Sequence, residues 1–195
     1  MKGSGVCRPG FVLVFAVSAV IAGCSSALIQ IGNVNTSKDS RTGITADRMV
    51  ANPLSCAKDS IMGGTPTIGL LLQRSYGRDY KVGYQLIASW VGSGWGYIEA
   101  GESLVLMVDG RRMGFYGPGS AEHRVVEGSY VNEECWYPSN YEQLQVIAGA
   151  KEVTLELKGK NATITRCLTP TNLDNFKVFV KYFPPYIAIE GPSFR

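Results

Sequence analysis

The stretch Leu104-Val-Leu-Met-Val108, followed by Asp109-Gly110 and then by residues 111–116, sets the fold class of this chain. Five consecutive apolar residues that end at a turn predict a strand covered on both faces. An Asp-Gly pair accepts the positive φ angles that a two-residue type I′ turn requires. The sequence therefore predicts a β-hairpin here.

Further strand candidates precede this hairpin. Residues 68–73 form a short apolar run, and residues 80–91 alternate loosely and are rich in Tyr, Val, Ile and Trp. Gly92-Ser93-Gly94 interrupts them before Trp95-Gly96-Tyr97. Aromatic residues between glycines have two interpretations, an exposed platform for a ligand or a cover for the end of a sheet, and the cover is the more common because exposed apolar patches are uncommon.

Two helices are predicted in the C-terminal half, each after a short repeated pattern. Cys135-Trp-Tyr-Pro138-Ser139-Asn140 and Cys167-Leu-Thr-Pro170-Thr171-Asn172 are both followed by apolar residues spaced three and four apart. That spacing puts one face of each helix on a core, and Pro184-Pro185 ends the second helix. The predicted capping pairs are Ser139 with Glu142 and, more weakly, Thr171 with Asp174.

A second hairpin is predicted between the two helices. Residues 153–158 alternate apolar and polar, Gly159-Lys160 turns the chain, and residues 162–168 return. We therefore predict an α+β fold, with a β-rich sheet or sandwich and two C-terminal helices packed on it.

The N-terminus has the layout of a signal peptide. Lys2 and Arg8 precede an apolar run at residues 11–21, which is too short to span a bilayer as a helix. Small residues and a cysteine follow, in Ile21-Ala22-Gly23-Cys24. This segment resembles the lipobox of bacterial lipoproteins, usually Leu-[Ala/Ser]-[Gly/Ala]-Cys, with Ile for Leu at the first position.

The resemblance covers this segment alone, and it implies an anchor. Cys24 would be acylated and become the first residue of the mature chain, with several acyl chains (palmitate among them) needed for stable attachment. Under the family's enteric sorting rule, Ser25 directs the protein to the outer membrane, facing the periplasm. Other interpretations are a plain secretory signal and a buried N-terminal helix.

Three regions follow from this layout. Residues 1–23 are the predicted signal peptide, residues 24–51 a tether with a first strand, and residues 52–195 a single domain. Removing residues 1–23 lowers Lys+Arg from 19 to 17 against 16 Asp+Glu, so the mature chain is almost neutral. It lacks the basic character that nucleic-acid binding requires.

The cysteines predict one disulfide. Cys7 is lost with the leader and Cys24 is acylated, so Cys56, Cys135 and Cys167 remain for an oxidising compartment. We predict a bond between Cys135 and Cys167, because each precedes a proline and a helix and neighbouring parallel strands would bring them together. Cys56 in place of either partner is the alternative.

Catalytic signals are sparse. His123 is the single histidine, so a site of several histidines is excluded, and we predict neither a metal nor a cofactor. Ser120 near His123 and a Cys56–His123 thiol pair are weak catalytic candidates, since such sites are defined by geometry. No glycosidase pair stands out among the acids near turns, which are Asp47, Asp59, Asp79, Glu99 and Glu102.

These observations favour a binding protein over an enzyme. We predict a lipid-anchored, non-catalytic module of the cell envelope that binds a protein or a cell-wall component. The alternatives are a periplasmic hydrolase using His123 or Cys56 and an inhibitor of a wall-degrading enzyme. Aromatic residues, which most often anchor interfaces, are the candidate contact residues: Trp90, Trp95, Tyr97, Phe115, Tyr116, Trp136 and Tyr137.

Overall fold

The computed structural model describes residues 34–54, 66–77 and 80–185. Its strands are β1 (Val34–Lys38), β2 (Thr45–Met49), β3 (Pro53–Leu54), β4 (Thr67–Gly77), β5 (Tyr80–Gly92), β6 (Gly101–Val108), β7 (Arg111–Gly117), β8 (Arg124–Glu127), β9 (Tyr130–Ser139), β10 (Val153–Lys158) and β11 (Thr163–Cys167). Its helices are α1 (Tyr141–Gly149) and α2 (Pro170–Tyr182). The predicted leader, Cys24 and Cys56 lie outside the described residues.

The strands form two antiparallel sheets. The large sheet has the order β1-β2-β4-β5-β9-β8, with β3 paired to β4, and the small sheet has the order β11-β10-β6-β7. Both helices come near the C-terminal end and pack against each other, and the hydroxyl of Tyr141 donates to the carbonyl of Val180. The predicted α+β class, with two C-terminal helices on a β-rich core, is confirmed.

Both predicted hairpins are present. The turn between β6 and β7 has φ 47° at Asp109 and 79° at Gly110, as the type I′ prediction requires. Residues 104–106 of β6 are buried, whereas Met107 is exposed, so the prediction that both faces are covered fails at that one position. β10 and β11 pair across the turn between the helices.

The first described hairpin enlarges the domain on its N-terminal side. β1 and β2 pair with each other, and β2 pairs with β4 in the large sheet. Residues 34–49 therefore belong to the folded domain, ahead of the predicted boundary at residue 52. Asp47 is buried within this region, where it accepts from Thr36 and forms an ion pair with Arg74.

The helices begin one or two residues from their predicted caps. In α1 the cap is Asn140, whose side chain forms a capping box with Gln143, and Ser139 is instead the last residue of β9. In α2 the cap is Thr169, paired with Asn172. The apolar faces are as predicted, with Leu144 and Ile147 of α1 and Leu173, Phe176 and Val180 of α2 buried, and Phe179 is buried beside them.

The two sheets approach most closely where β7 passes β9. A side chain at Gly117 would lie 2.7 Å from Cys135 Sγ and 2.8 Å from the ring of Tyr137, so only glycine fits there. The hydroxyl of Tyr137 shares a hydrogen bond with Ser103 of β6. The main hydrophobic core therefore lies between the small sheet, the helices and the facing side of the large sheet, and Leu71 and Ile87 are buried on the opposite side of that sheet.

The predicted disulfide between Cys135 and Cys167 is not formed. Cys135 carries a free, buried thiol. The prediction assumed neighbouring parallel strands, but β9 and β11 belong to different sheets. Cys135 lies near β7, and three strand spacings separate β7 from β11, roughly 14 Å. A disulfide needs Cα atoms within about 7 Å.

Candidate functional site

Strand β9 divides its side chains between two environments. We call the face of the large sheet that carries Cys135 and Tyr137 the inner face, because it packs on the small sheet and the helices. Alternation then places Asn132, Glu134 and Trp136 on the opposite, outer face, where all three side chains are half-buried.

The outer face contains a groove made of two adjoining cavities of about 240 and 480 Å³, which share Arg48 and Val50. Small residues on β4 and β5 leave room for the first cavity, and a side chain at Gly69 would meet the hydroxyl of Ser89 at 2.4 Å. Besides the shared residues, described residues lining the first cavity include Asn52, Thr67, Leu71, Val91, Asn132 and Glu134, and those lining the second include Asn35, Ser37, Gln73 and Trp136.

An ion pair stands where the two cavities meet. Arg48 of β2 donates to one carboxylate oxygen of Glu134, and Trp136 Nε1 donates to the other oxygen at 3.2 Å. The guanidinium of Arg48 lies 5.8 Å from the centre of the Trp136 ring, within the range of a cation–π interaction. The two charged side chains are 31% and 17% exposed, so a ligand in the groove can reach both.

His123 joins this cluster through stacking. Its ring lies parallel to that of Trp136, with centroids 4.7 Å apart. The backbone N–H of His123 donates to the carbonyl of Ser120, but the Ser120 hydroxyl is buried and donates to Glu133. Ser120 also accepts from Arg124. The structure therefore gives Ser120 a role on the inner face and does not arrange it as a nucleophile activated by His123.

Asn132 is the polar group that the groove leaves unsatisfied. Its Oδ1 atom is buried and has no hydrogen-bond partner among the described residues. Buried polar atoms are normally hydrogen-bonded, and an unmade bond costs free energy. Asn132 lines the first cavity together with Glu134, so this unsatisfied side chain forms part of the cavity wall.

Glu133 lies between Asn132 and Glu134 in the sequence, but its side chain is on the inner face and its hydrogen bonds are made. Its buried carboxylate accepts from the backbone N–H groups of residues 96–98 and from the Ser120 hydroxyl, with Arg124 3.6 Å away. These bonds hold the turn in which Tyr97 adopts a φ of 54°, an uncommon value for an aromatic residue. Glu133 therefore fixes a loop and does not face a ligand.

The aromatic candidates fall into three groups. Trp90, Phe115 and Tyr137 are buried, Trp95 and Trp136 are half-buried, and Tyr97 and Tyr116 are exposed. Just before the glycine-spaced stretch, Trp90 donates to the carbonyl of Gly94, and within the stretch Tyr97 packs under the Arg124 guanidinium at 4.7 Å. Of the seven, Trp136 lines the groove.

The remaining acids do not assemble into a site. Glu102 forms an exposed ion pair with Arg112, which lowers the pKa of the Glu102 carboxyl through its hydrogen bonds. Asp59 and Asp79 lie outside the described residues. Within residues 34–54, 66–77 and 80–185, no group of three His, Cys, Asp or Glu side chains is arranged to hold a metal ion.

The sequence did not single out Arg48, Asn132 or Glu134. Arg48 and Glu134 are 86 positions apart, and only strand register brings them together. The polar run Asn132-Glu133-Glu134 within a strand was the one local signal, because alternation assigns its members to opposite faces.

No protein-family model, no curated protein and no solved structure matches this chain. None of the helices in the described part of the chain has the length and apolar character needed to cross a membrane.

Proposed function

We propose that this protein is a non-catalytic binding module of the bacterial cell envelope, anchored by a lipid on Cys24, which holds its ligand in the outer-face groove. The anchor is supported by the resemblance of Ile21-Ala22-Gly23-Cys24 to a lipobox. The binding role is supported by the groove itself, whose partly exposed ion pair, indole ring and polar wall lie together on one face.

The observation that carries this proposal is the unpaired Oδ1 of Asn132. Folding leaves this acceptor buried at the groove without a donor from the described chain. A ligand that donates to it recovers the lost hydrogen bond, so the arrangement favours the bound state. Unsatisfied groups of this kind are rare in folded proteins.

The geometry of the other groups fits binding better than catalysis. Both oxygens of Glu134 already accept hydrogen bonds, one from Arg48 and one from Trp136. The His123 ring is stacked on Trp136, and the nearest serine in sequence is engaged on the inner face. A general base must itself accept the proton that it removes, within hydrogen-bond distance. The groups named here are already engaged with one another, and they form a preorganised recognition surface.

Photocrosslinking in cells tests the groove. A photoreactive phenylalanine analogue replaces Val50, which lines both cavities. In the control protein the analogue replaces Val146 on helix α1, whose native side chain is 54% exposed, against 53% for Val50. We expect a ligand adduct at position 50 that is lost in the Asn132→Leu background and is absent at position 146. Equal adduct formation at the two positions would contradict the proposal.

The anchor is tested separately. Cells expressing the wild type or Cys24→Ala are labelled with a clickable palmitate analogue, with Cys56→Ala as the matched cysteine control. We expect label on the wild type and on Cys56→Ala, and none on Cys24→Ala. Equal labelling of all three proteins would exclude Cys24 as the attachment site.

A further inference from the structure

We infer that the groove recognises the acetamido group of an amino-sugar glycan, an inference that rests on its proposed binding function. The argument uses four features of the groove: its unpaired hydrogen-bonding groups, their spacing, its charge and the pairing of the strands beneath it.

The unpaired groups call for a ligand that both donates and accepts. Asn132 Oδ1 needs a donor. Arg48 directs one amino group to Glu134, and its other guanidinium N–H groups have no hydrogen-bond partner among the described residues, so they need an acceptor. A secondary amide carries one N–H and one C=O and satisfies both.

The spacing of these groups suits a single amide. Asn132 and Glu134 occupy alternate positions of β9, about 7 Å apart, and Arg48 lies against Glu134. The nitrogen and oxygen of an amide are roughly 2.3 Å apart given its bond lengths. With a hydrogen bond of about 2.9 Å on each side, the span is roughly 8 Å. One acetamido group is therefore long enough to bridge polar groups at this spacing.

The charge of the groove favours a neutral ligand. Arg48 is the single cation among the described residues that line the two cavities, and Glu134 neutralises it. A phosphate or carboxylate ligand would have to compete with Glu134 for the guanidinium. An N-acetylated sugar carries no charge and avoids that cost.

Strand pairing distinguishes a sugar from a peptide. An extended peptide gains its affinity by adding to an open sheet edge. The groove instead lies on the face of the large sheet, across β1, β2, β4, β5 and β9, and the strands from β2 to β9 pair with a neighbour on both sides. Recognition there depends on side chains, and the second cavity supplies the amides of Asn35 and Gln73, the hydroxyl of Ser37 and the indole of Trp136. Sugar hydroxyls both donate and accept, so they match these amides and the hydroxyl.

Titration of the full chain in detergent tests this inference. The probes are the trimer of β-1,4-linked N-acetylglucosamine, its deacetylated trimer, cellotriose and trialanine. We expect the acetylated trimer to bind, with the other probes at least about tenfold weaker, and Asn132→Leu to bind it about tenfold more weakly than the wild type. The control Asn161→Leu, which removes an exposed amide at the β10–β11 turn, keeps wild-type affinity. Tryptophan emission that responds in the wild type and is silent in Trp136→Phe would place the sugar at the groove.

The outcomes separate this inference from the proposed function. Equal binding of cellotriose and the acetylated trimer would overturn the acetamido assignment, and preferential binding of trialanine would replace it with a peptide. If no probe binds while the Val50 adduct still depends on Asn132, the groove is a binding site and the amino-sugar assignment is wrong. If no probe binds and the adduct at position 50 equals that at position 146, both proposals fail.

Discussion

The two faces of strand β9 differ in how completely their polar groups are satisfied. On the inner face, Glu133 is fully buried and accepts three backbone N–H groups and a hydroxyl. On the outer face, Glu134 shares a partly exposed ion pair, and Asn132 Oδ1 has no partner in the described chain. The comparison teaches that adjacent polar residues of one strand divide between holding the fold and offering a surface to a ligand.

The largest expected effect is on the inner face. Glu133→Ala leaves the N–H groups of residues 96–98 and the Ser120 hydroxyl without their acceptor. We expect the free energy of unfolding to fall by about 3–5 kcal/mol, the cost typical of removing one member of a buried ionic network. Urea unfolding measures it. A fall in the free energy of unfolding below about 1 kcal/mol would show that other contacts hold the loop at residues 96–98. The inner and outer faces of β9 would then not differ in their contribution to stability.

On the outer face we expect a substitution to stabilise the protein. Asn132→Leu keeps a similar volume and removes the unpaired buried oxygen, so the free energy of unfolding should rise by about 1 kcal/mol. The same substitution should weaken binding in the groove. Urea unfolding of the ligand-free variant and of the wild type measures the gain. A marked loss of stability would indicate that Asn132 serves the fold.

We expect Glu134 on the outer face to contribute less to the free energy of unfolding than Glu133 on the inner face. Glu134→Ala removes a partly exposed ion pair with Arg48 and a hydrogen bond from Trp136. Such pairs contribute little, and we expect the free energy of unfolding to fall by less than about 1 kcal/mol. Comparing its urea midpoint with that of Glu133→Ala measures the difference between the faces directly. Equal losses in the two variants would refute it.

The smallest effect is a pH dependence that comes from the inner face. Burial raises the pKa of the Cys135 thiol above its ordinary value near 9, because desolvation disfavours the thiolate. The folded state therefore favours the protonated thiol, and this contribution is fully present below pH 9 and is lost as pH rises through the folded pKa. Urea midpoints from pH 7.5 to 10.5 should fall more steeply for the wild type than for Cys135→Ala. Parallel curves would show that the thiol titrates normally.

Local chemistry was enough to predict several elements. Asp109-Gly110 specifies its turn without help from the rest of the chain, because both residues tolerate positive φ. The apolar spacing after Asn140 and Asn172 specifies two amphipathic helices in the same way. The first helix starts later than predicted because Ser139 pairs with Tyr84 and so remains in the sheet. The second cap, Thr169, could have been found from Pro170, which favours the first helical position.

The groove could not be predicted from local sequence patterns. Arg48 and Glu134 meet because β2 and β9 belong to one sheet, and sequence patterns do not fix strand order or register across the intervening β4 and β5. The disulfide prediction failed for the same reason, since equal local contexts around Cys135 and Cys167 say nothing about which sheets their strands join.

The amino-acid sequence by itself determined the α+β class, the two hairpins and the two C-terminal helices, because turn chemistry and periodicity act over a few residues. It also carries the lipobox-like segment on which the proposed anchor depends. Tertiary structure alone decided which side of β9 is buried, which of Glu133 and Glu134 holds a loop, and that Asn132 Oδ1 has no partner among the described residues. Those outcomes depend on pairings between strands distant in sequence, and burial and hydrogen bonding are set only when those strands come together.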